Sequence, residues 1–341
     1  MKSDALSLTF SELEEEIVKL GEQKFRAKQI YPKLFQGISS FDEIGNISKV
    51  LKEKLNEHLY ISKVSVYKVL TSELDGTRKY LLQLDDKNII EAVLMRYKHG
   101  LSICISSQVG CLMGCSFCAS TIDGLVRNLT AGEMIGQILA VHNDVKERIS
   151  NVVMMGSGEP LDNFDNLIKF LDIVHQEDSL NIGYRHITIS TCGVVPKINE
   201  LAKLGYPINL AISLHETTHE KRKNIMPVEN AYPIDSVIKA AKDYANTTKR
   251  RVTFEYALIK GVNDSTEDAN RLSKLLKGML CHVNLIPVNT VEERTYKRPD
   301  KAAINAFLSV LKSNHIEATV RREMGKDING ACGQLRRSIV D

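Results

Sequence analysis

Cys111, Cys115 and Cys118 are spaced so that three thiols can converge on one soft metal centre. An iron–sulfur cluster with four irons and three thiolates would keep one iron open for a ligand from outside the chain. Zinc completed by a distant fourth donor is a second reading of the same spacing, and a buried turn with incidental thiols is a third. Further on, Gly156-Ser157-Gly158-Glu159-Pro160 follows an apolar run. Its glycines permit close backbone approach, and the Glu159 carboxylate can accept from an ammonium. Glu91 lies inside the apolar run Ile89–Val93, where burial would raise its pKa and make it a better base near neutral pH. An outward-facing edge position is the bland alternative for it. Taken without context, the remaining cysteines, Cys104, Cys192, Cys281 and Cys332, read as buried packing residues.

These residues need elements to position them. The chain has 341 residues, 43% hydrophobic and 26% charged, which supports a sizeable core and excludes a disordered or collagen-like chain. Its length suits two or three domains at roughly 100–200 residues each. No run approaches the ~18–20 apolar residues of a membrane span, and the N-terminal stretch carries acids where a signal peptide has its apolar segment. The expectation is a cytoplasmic protein, with no membrane partner and by default a monomer. Seven cysteines in a reducing compartment favour metal binding or catalysis over a disulfide framework. A net charge of +3, from 45 basic and 42 acidic residues, neither demands nor excludes nucleic acid.

Residues 8–57 read as short helices, with Leu13, Ile17 and Leu20 on one face, Ile30, Leu34 and Phe35 on another, and Val50, Leu51 and Leu55 on a third. Residues 60–106 change to short β-branched runs with a turn at Asp75-Gly76. From about residue 100, strand-like segments (SICIS, NVVMMG, HITIST, INLAISL, RVTFEYAL, HVNLIPV) alternate with helix-like ones. Such repeated units imply an α/β fold with a parallel sheet and crossover helices. Ligands of these folds sit at the C-terminal strand ends. Here those ends carry Gly158-Glu159, Ser190, Ser213-Leu214-His215 and Asn289.

The cysteine triplet, with Phe117 before its last member and a βα series behind it, resembles the radical S-adenosylmethionine (SAM) superfamily. The resemblance narrows through CISSQVGC (residues 104–111), Arg127-Asn128-Leu129-Thr130, Phe254-Glu255-Tyr256, Gly261-Val262-Asn263-Asp264, Asn284-Leu285-Ile286-Pro287 and Ala331-Cys332-Gly333-Gln334-Leu335. These are similar to the RlmN family of adenine-C2 RNA methyltransferases, and the motifs run in order over nearly the whole chain. The resemblance implies a partial (β/α)6 radical SAM barrel over 97–327, preceded by a helical RNA-binding domain (1–58) and a β extension (59–96), and followed by a C-terminal segment (328–341).

The same resemblance implies a set of roles. Cys111, Cys115 and Cys118 would hold one [4Fe-4S] cluster whose open iron binds SAM. Gly158, Glu159, Ser190, Ser213, Leu214, His215 and Asn289 would surround SAM. Cys332 would carry the methyl group, Glu91 would take the ring proton, and Cys104 would resolve the RNA adduct as a disulfide, with two SAM used per turnover. The implied partners are 23S rRNA, tRNA, and external one-electron and thiol reductants. Contacts to RNA phosphate would fall among Lys24, Arg26, Lys28, Lys33, Lys249, Arg250, Arg251, Arg294, Lys297, Arg298, Arg321, Arg322, Arg336 and Arg337. Ser157 departs from the methionine usual in its motif. The sister Cfr family, which methylates C8 of the same rRNA adenine, shares the cysteines; Pro160, Pro287 and Arg127 resemble RlmN instead. A non-catalytic iron–sulfur RNA-binding protein is the rival from another class, and it would have no use for Glu91, Cys104 and Cys332 together.

Overall fold

Leu13, Ile17, Ile30, Leu34, Leu51 and Leu55 are fully buried. They come from three short amphipathic helices, α1 (Phe10–Lys19), α2 (Arg26–Leu34) and α3 (Lys49–His58), whose apolar stripes face one another. A capping box between Thr9 and Glu12 starts α1. Val50 departs from expectation and is 58% exposed. Its neighbour Leu51 takes the inward phase, and one residue along a helix turns the side chain by about 100°. The computed structural model describes residues 2–289, 291 and 293–335. Arg336 and Arg337 therefore lie outside the described residues.

A ten-stranded sheet runs across the molecule in chain order. Its strands are β1 (Ser65–Thr71), β2 (Arg78–Gln83), β3 (Ile89–Tyr97), β4 (Gly100–Cys104), β5 (Ile149–Met154), β6 (Ile187–Thr191), β7 (Asn209–Ser213), β8 (Val252–Leu258), β9 (Cys281–Pro287) and β10 (Ala318–Val320). The first four pair antiparallel. From β4 to β10 every pairing is parallel, and each step is bridged by a helical crossover. The crossovers are α4 (Ala131–Val145), α5 (Phe164–Val174), α6 (Val195–Leu204), α7 (His219–Ile225) with α8 (Ile234–Thr248), α9 (Thr266–Leu276) and α10 (Lys301–Ser313). This is the expected partial barrel of six β/α units, with β10 as a short seventh strand. The β extension is continuous with it, because β3 and β4 are hydrogen-bonded neighbours.

Parallel strands covered on both faces read as apolar runs, and Ile187, Ile189, Leu210, Ile212, Phe254, Val283 and Leu285 are all essentially inaccessible. Each such side chain contributes roughly 1.5–3 kcal/mol by leaving water. The extension divides its residues by alternation. Tyr80, Leu82, Ala92 and Leu94 join the main core. Val93 and Met95 face the other way and cluster with Cys104, Met324 and Leu335.

Among the described residues the segment after β10 has no regular structure beyond one short turn of 3-10 helix (Lys326–Ile328), and hydrogen bonds to distant parts of the chain hold it. Asp327 accepts from Ser72 Oγ (2.6 Å) and from the Glu73 amide (3.0 Å). The Gly325 amide donates to Asp75 (3.0 Å), and Ser120 Oγ donates to the Leu335 carbonyl (2.6 Å). Among the described residues no helix is long and apolar enough to cross a membrane.

Candidate active site

Cys111, Cys115 and Cys118 lie between two short antiparallel strands, Gln108–Gly110 and Leu125–Asn128. Backbone bonds fix their loop from three directions: Cys111 N–H to Gly124 (2.9 Å), Ser116 N–H to Ile225 (2.9 Å) and Ala119 N–H to Gly333 (2.8 Å). All three thiols line one open cavity at the C-terminal ends of the parallel strands. Burial pushes them up, Cys111 to about 12, so a cationic metal centre is what would hold them as thiolates. Among the described residues no three His, Cys, Asp or Glu side chains are grouped to hold a single metal ion.

Gly158, Glu159, Ser190, Ser213, His215, Asn289 and Cys332 line the same cavity. Gly158 has φ +105°, and a Cβ there would meet Gln108 Cβ at 2.6 Å, so only glycine fits where these two loops cross. Glu159 is buried, which raises its pKa, and its carboxylate accepts from the amides of Cys192 (2.7 Å) and Leu161 (3.0 Å). The ring of His215 accepts at Nδ1 from the Ala257 amide (2.8 Å). Burial, and then the charge of Arg222, push His215 down to about 3, leaving a neutral ring with its proton on Nε2. Asn289 Nδ2 donates to the Cys332 carbonyl (3.0 Å), whereas its Oδ1 is buried without a partner. An orphaned acceptor in a cavity walled by three thiols and several polar strand ends fits a polar ligand beside a metal cluster.

Leu214 departs from expectation. Its side chain is fully buried in the core, and it serves the wall through its backbone, by a carbonyl that accepts from Arg222 Nε (3.1 Å). Cys104 does not reach the first cavity. It lines a second one, walled by Val93, Met95, Tyr97 and the C-terminal segment, with Met155 and Ile286 from the strand ends. Cys332 lines both cavities, as do Asn289 and Arg321. Glu91 lines neither. It is 2% exposed, two residues along β3 from Val93, which pairs with Cys104 across the sheet. Lys79 Nζ stands 2.8 Å from Glu91 Oε1 and donates to the Asn329 carbonyl (3.2 Å).

Residues 105–272 match the radical SAM superfamily, and residues 4–61 match the ribosomal RNA large subunit methyltransferase N-terminal domain. A probable dual-specificity RNA methyltransferase RlmN from Alkaliphilus oremlandii is 59% identical over 98% of both chains. Its counterpart from Clostridium beijerinckii is 57% identical over 99% of this chain and 96% of its own. The chain belongs to the RlmN family of radical SAM RNA methyltransferases. A crystal structure of a radical SAM methyltransferase from Sphaerobacter thermophilus superposes with a TM-score of 0.93 at 41% identity, over 98% of this chain and 99% of that one. Membership in the RlmN family implies a [4Fe-4S] cluster and SAM, and the donor set of the first cavity suits both.

The basic residues separate by position. Lys249, Arg250 and Arg251 precede β8 and so lie at the N-terminal strand ends, away from both cavities; Arg250 bonds Ile208 and Asn209 there, and Arg251 pairs with Glu317. Arg321 is a cavity residue with Glu255 at 3.8 Å, and Arg322 lines the second cavity. Arg294 reaches the cysteine loop at Thr121 (3.4 Å), while Arg298 pairs with Glu323. Lys24 pairs with Glu14 (3.0 Å), Lys33 bonds Gln36 (3.0 Å), and Arg26 stacks over the half-exposed Phe25 at 4.8 Å. Lys28 and Lys297 are exposed. The sequence assigns no role to Lys79 or to Glu255 of its Phe-Glu-Tyr motif and reads Cys192 as packing, although Glu255 and Cys192 line the first cavity. Lys79 follows Arg78 in the mixed run Arg78–Gln83, which has no clean alternation and gives it no local signal. Ser157 is buried and does not line the first cavity itself, but it donates to Ser120 Oγ (3.1 Å), which does.

Proposed function

We propose that this enzyme methylates the C2 carbon of adenine in 23S rRNA and in tRNA, with Cys332 as the carrier of the methyl group. C2 lies between two ring nitrogens and is electron-poor, so it does not attack a methyl sulfonium, and a radical route is needed. Cys111, Cys115 and Cys118 would hold one [4Fe-4S] cluster with an open iron. Gly158, Glu159, Ser190, Ser213, His215 and Asn289 would hold SAM, with His215 Nε2–H as a donor and Asn289 Oδ1 as an acceptor. When bound, these groups supply a methyl group and a 5′-deoxyadenosyl radical. Cys332 loses its proton and takes the methyl as a thioether. That methyl carbon, one hydrogen short, bonds C2 and ties the RNA to the chain. Glu91 accepts the ring proton, and the one electron then in excess on the ring would return to the bound cluster. Cys104 then attacks the Cys332 sulfur, which frees the methylated RNA and leaves a disulfide for an external thiol to reduce.

The position of Cys332 carries this reading. It stands in the wall common to two cavities, one with the three cluster cysteines and the other with Cys104. An unstacked base entering the second cavity would meet Cys332 from the side opposite SAM. The names of the relatives support the dual RNA specificity. The test is nucleoside mass spectrometry on 23S rRNA fragment and tRNA after incubation with the anaerobically reconstituted enzyme, SAM and a reductant. We expect 2-methyladenosine from both RNAs. If 8-methyladenosine appears alone, the C2 assignment fails, and if a cluster-replete enzyme gives no methylated adenosine, the catalytic reading fails.

A further inference from the structure

Arg222 on α7 is the largest fully buried side chain of the described residues, and it lines neither cavity beside the catalytic thiols. All five of its N–H groups have acceptors. Nε donates to the Leu214 carbonyl (3.1 Å), and Nη2 donates to the carbonyls of Cys192 (2.7 Å) and Ser213 (3.3 Å). Nη1 donates to the Glu229 carboxylate and to the Tyr232 carbonyl (3.4 Å). Glu229 is equally buried and accepts in addition from the Ile234 amide and His219 Nδ1, both at 2.8 Å.

The three carbonyls nearest the cavity belong to two strand ends. Cys192 follows β6, Ser213 ends β7 and Leu214 follows it. The ladder between β6 and β7 stops at Thr191 and Ile212. Past that point the Arg222 guanidinium bridges the pair. The helix that carries it also reaches the cysteine loop, since the Ile225 carbonyl accepts from Ser116 N–H (2.9 Å) and Ser116 Oγ (3.4 Å). One buried cation thus joins the walls that present Ser190, Ser213 and His215 to the first cavity.

We propose that Arg222 is a positioning residue for SAM, fixing the spacing of the β6 and β7 ends without touching the ligand. The proposal rests on the reading of the first cavity as the SAM site. It requires the planar five-donor fork of arginine; lysine offers three donors on one rotatable nitrogen and cannot satisfy five fixed acceptors. In Arg222→Lys the unsatisfied carbonyls draw the two strand ends out of place, which weakens SAM and leaves the chemistry at Cys332 unchanged.

The test titrates SAM into the reduced, cluster-replete enzyme and follows the cluster by electron paramagnetic resonance, with no RNA present. Arg222→Lys is expected to weaken the SAM Kd by about tenfold or more, as the loss of one or two buried hydrogen bonds implies. In turnover assays the KM for SAM rises in parallel while kcat at saturating SAM stays within about threefold. Glu229→Asp, a milder change that withdraws the carboxylate from the guanidinium, gives a smaller shift in the same direction and carries the test if the lysine variant does not fold. An unchanged SAM Kd with a lowered unfolding temperature makes Arg222 a purely structural residue and overturns the proposal. Loss of the cluster from both variants overturns it as well. A wild-type cluster signal that ignores SAM refutes the underlying cavity assignment instead, which separates the two failures.

Discussion

The two cavities that meet at Cys332 are built by different means. The first is walled by consecutive parallel strand ends and the cysteine loop, and its polar groups are tied to backbone: Glu159 to two amides, His215 to one. The second shares the strand-end residues Met155, Ile286 and Asn289 with the first, and its other walls are one face of the β extension and a segment that has no sheet partner among the described residues. Asp327, Asn329 and Leu335 of that segment are bonded to Ser72, Lys79 and Ser120, more than 200 residues away in the chain. A wall made of backbone ladders inherits the rigidity of the sheet. A wall made of a few side-chain bonds can be dismantled one bond at a time. The first arrangement suits a small cofactor that must be held in one pose, and the second suits a macromolecular base that must enter and leave.

The largest effect should come from the residue the two walls share. Cys332→Ala is expected to abolish methylated adenosine altogether while SAM binding in the first cavity persists, which nucleoside mass spectrometry and a SAM titration would read separately. Detectable product would mean that the common wall is only structural. Cys104→Ala cuts the second cavity alone. It is expected to leave RNA covalently attached to the protein, visible as a retarded band in a denaturing gel. Free product at the wild-type rate would eliminate the disulfide step.

Next in size is the Lys79–Glu91 pair beneath the second cavity. Glu91→Gln keeps the shape and removes the base, and a general-base role puts the loss in product release at about 10²–10⁴-fold. Lys79→Met acts differently. It leaves a buried carboxylate without its ammonium, which typically costs about 3–5 kcal/mol, and it removes one of the bonds to the C-terminal segment at Asn329. Each variant leaves one buried charge without its counter-charge, so thermal unfolding should fall in both, further in Lys79→Met because it also loses the bond to Asn329, and activity should fall in both. If Glu91→Gln turns over normally, the pair is a strap for the segment and another group takes the proton.

The same contrast separates what the sequence made legible from what it did not. The first cavity could be read because its residues sit at fixed places in repeated βα units: Ser190, Ser213, His215 and Asn289 each end an apolar strand, and the sheet brings them to one edge. Leu214 shows the limit of that reasoning, since a motif names three consecutive residues and the strand pleat turns the middle one into the core. The second cavity depends on contacts between residues 72–79 and 325–335, and no local period encodes a pairing of that sequence separation. Lys79 was invisible for the same reason: its partner Glu91 lies on the next strand, and only the register Lys79–Val93, Leu81–Glu91 places the two together. The triplet Lys249-Arg250-Arg251 looked like an RNA patch by composition, yet the strand direction puts it at the far end of the sheet.

The smallest effect belongs to the backbone-tied wall and is a matter of pH. His215 is held down at about 3 by burial and by Arg222, so below its ordinary pKa of about 6.5 the unfolded chain binds a proton that the folded chain refuses. Its contribution to stability is complete above that value and is lost as pH falls toward 3. Glu216, the next residue, is pushed up to about 7 by burial, which gives the opposite sign: the folded chain keeps a proton that the unfolded chain releases, and stability is lost as pH rises from about 4.5 to 7. Between about pH 4.5 and 6.5 the two slopes, each at most about 1.4 kcal/mol per pH unit, oppose one another. His215→Asn, whose amide oxygen can still accept from Ala257 and whose backbone tolerates φ +60°, should remove one slope and make the unfolding midpoint fall more steeply as pH rises through that window. Glu216→Gln should tilt it the other way. If both variants keep the wild-type profile, the two side chains exchange protons with solvent as freely in the folded wall as in the unfolded chain, and the wall is looser than its backbone bonds imply.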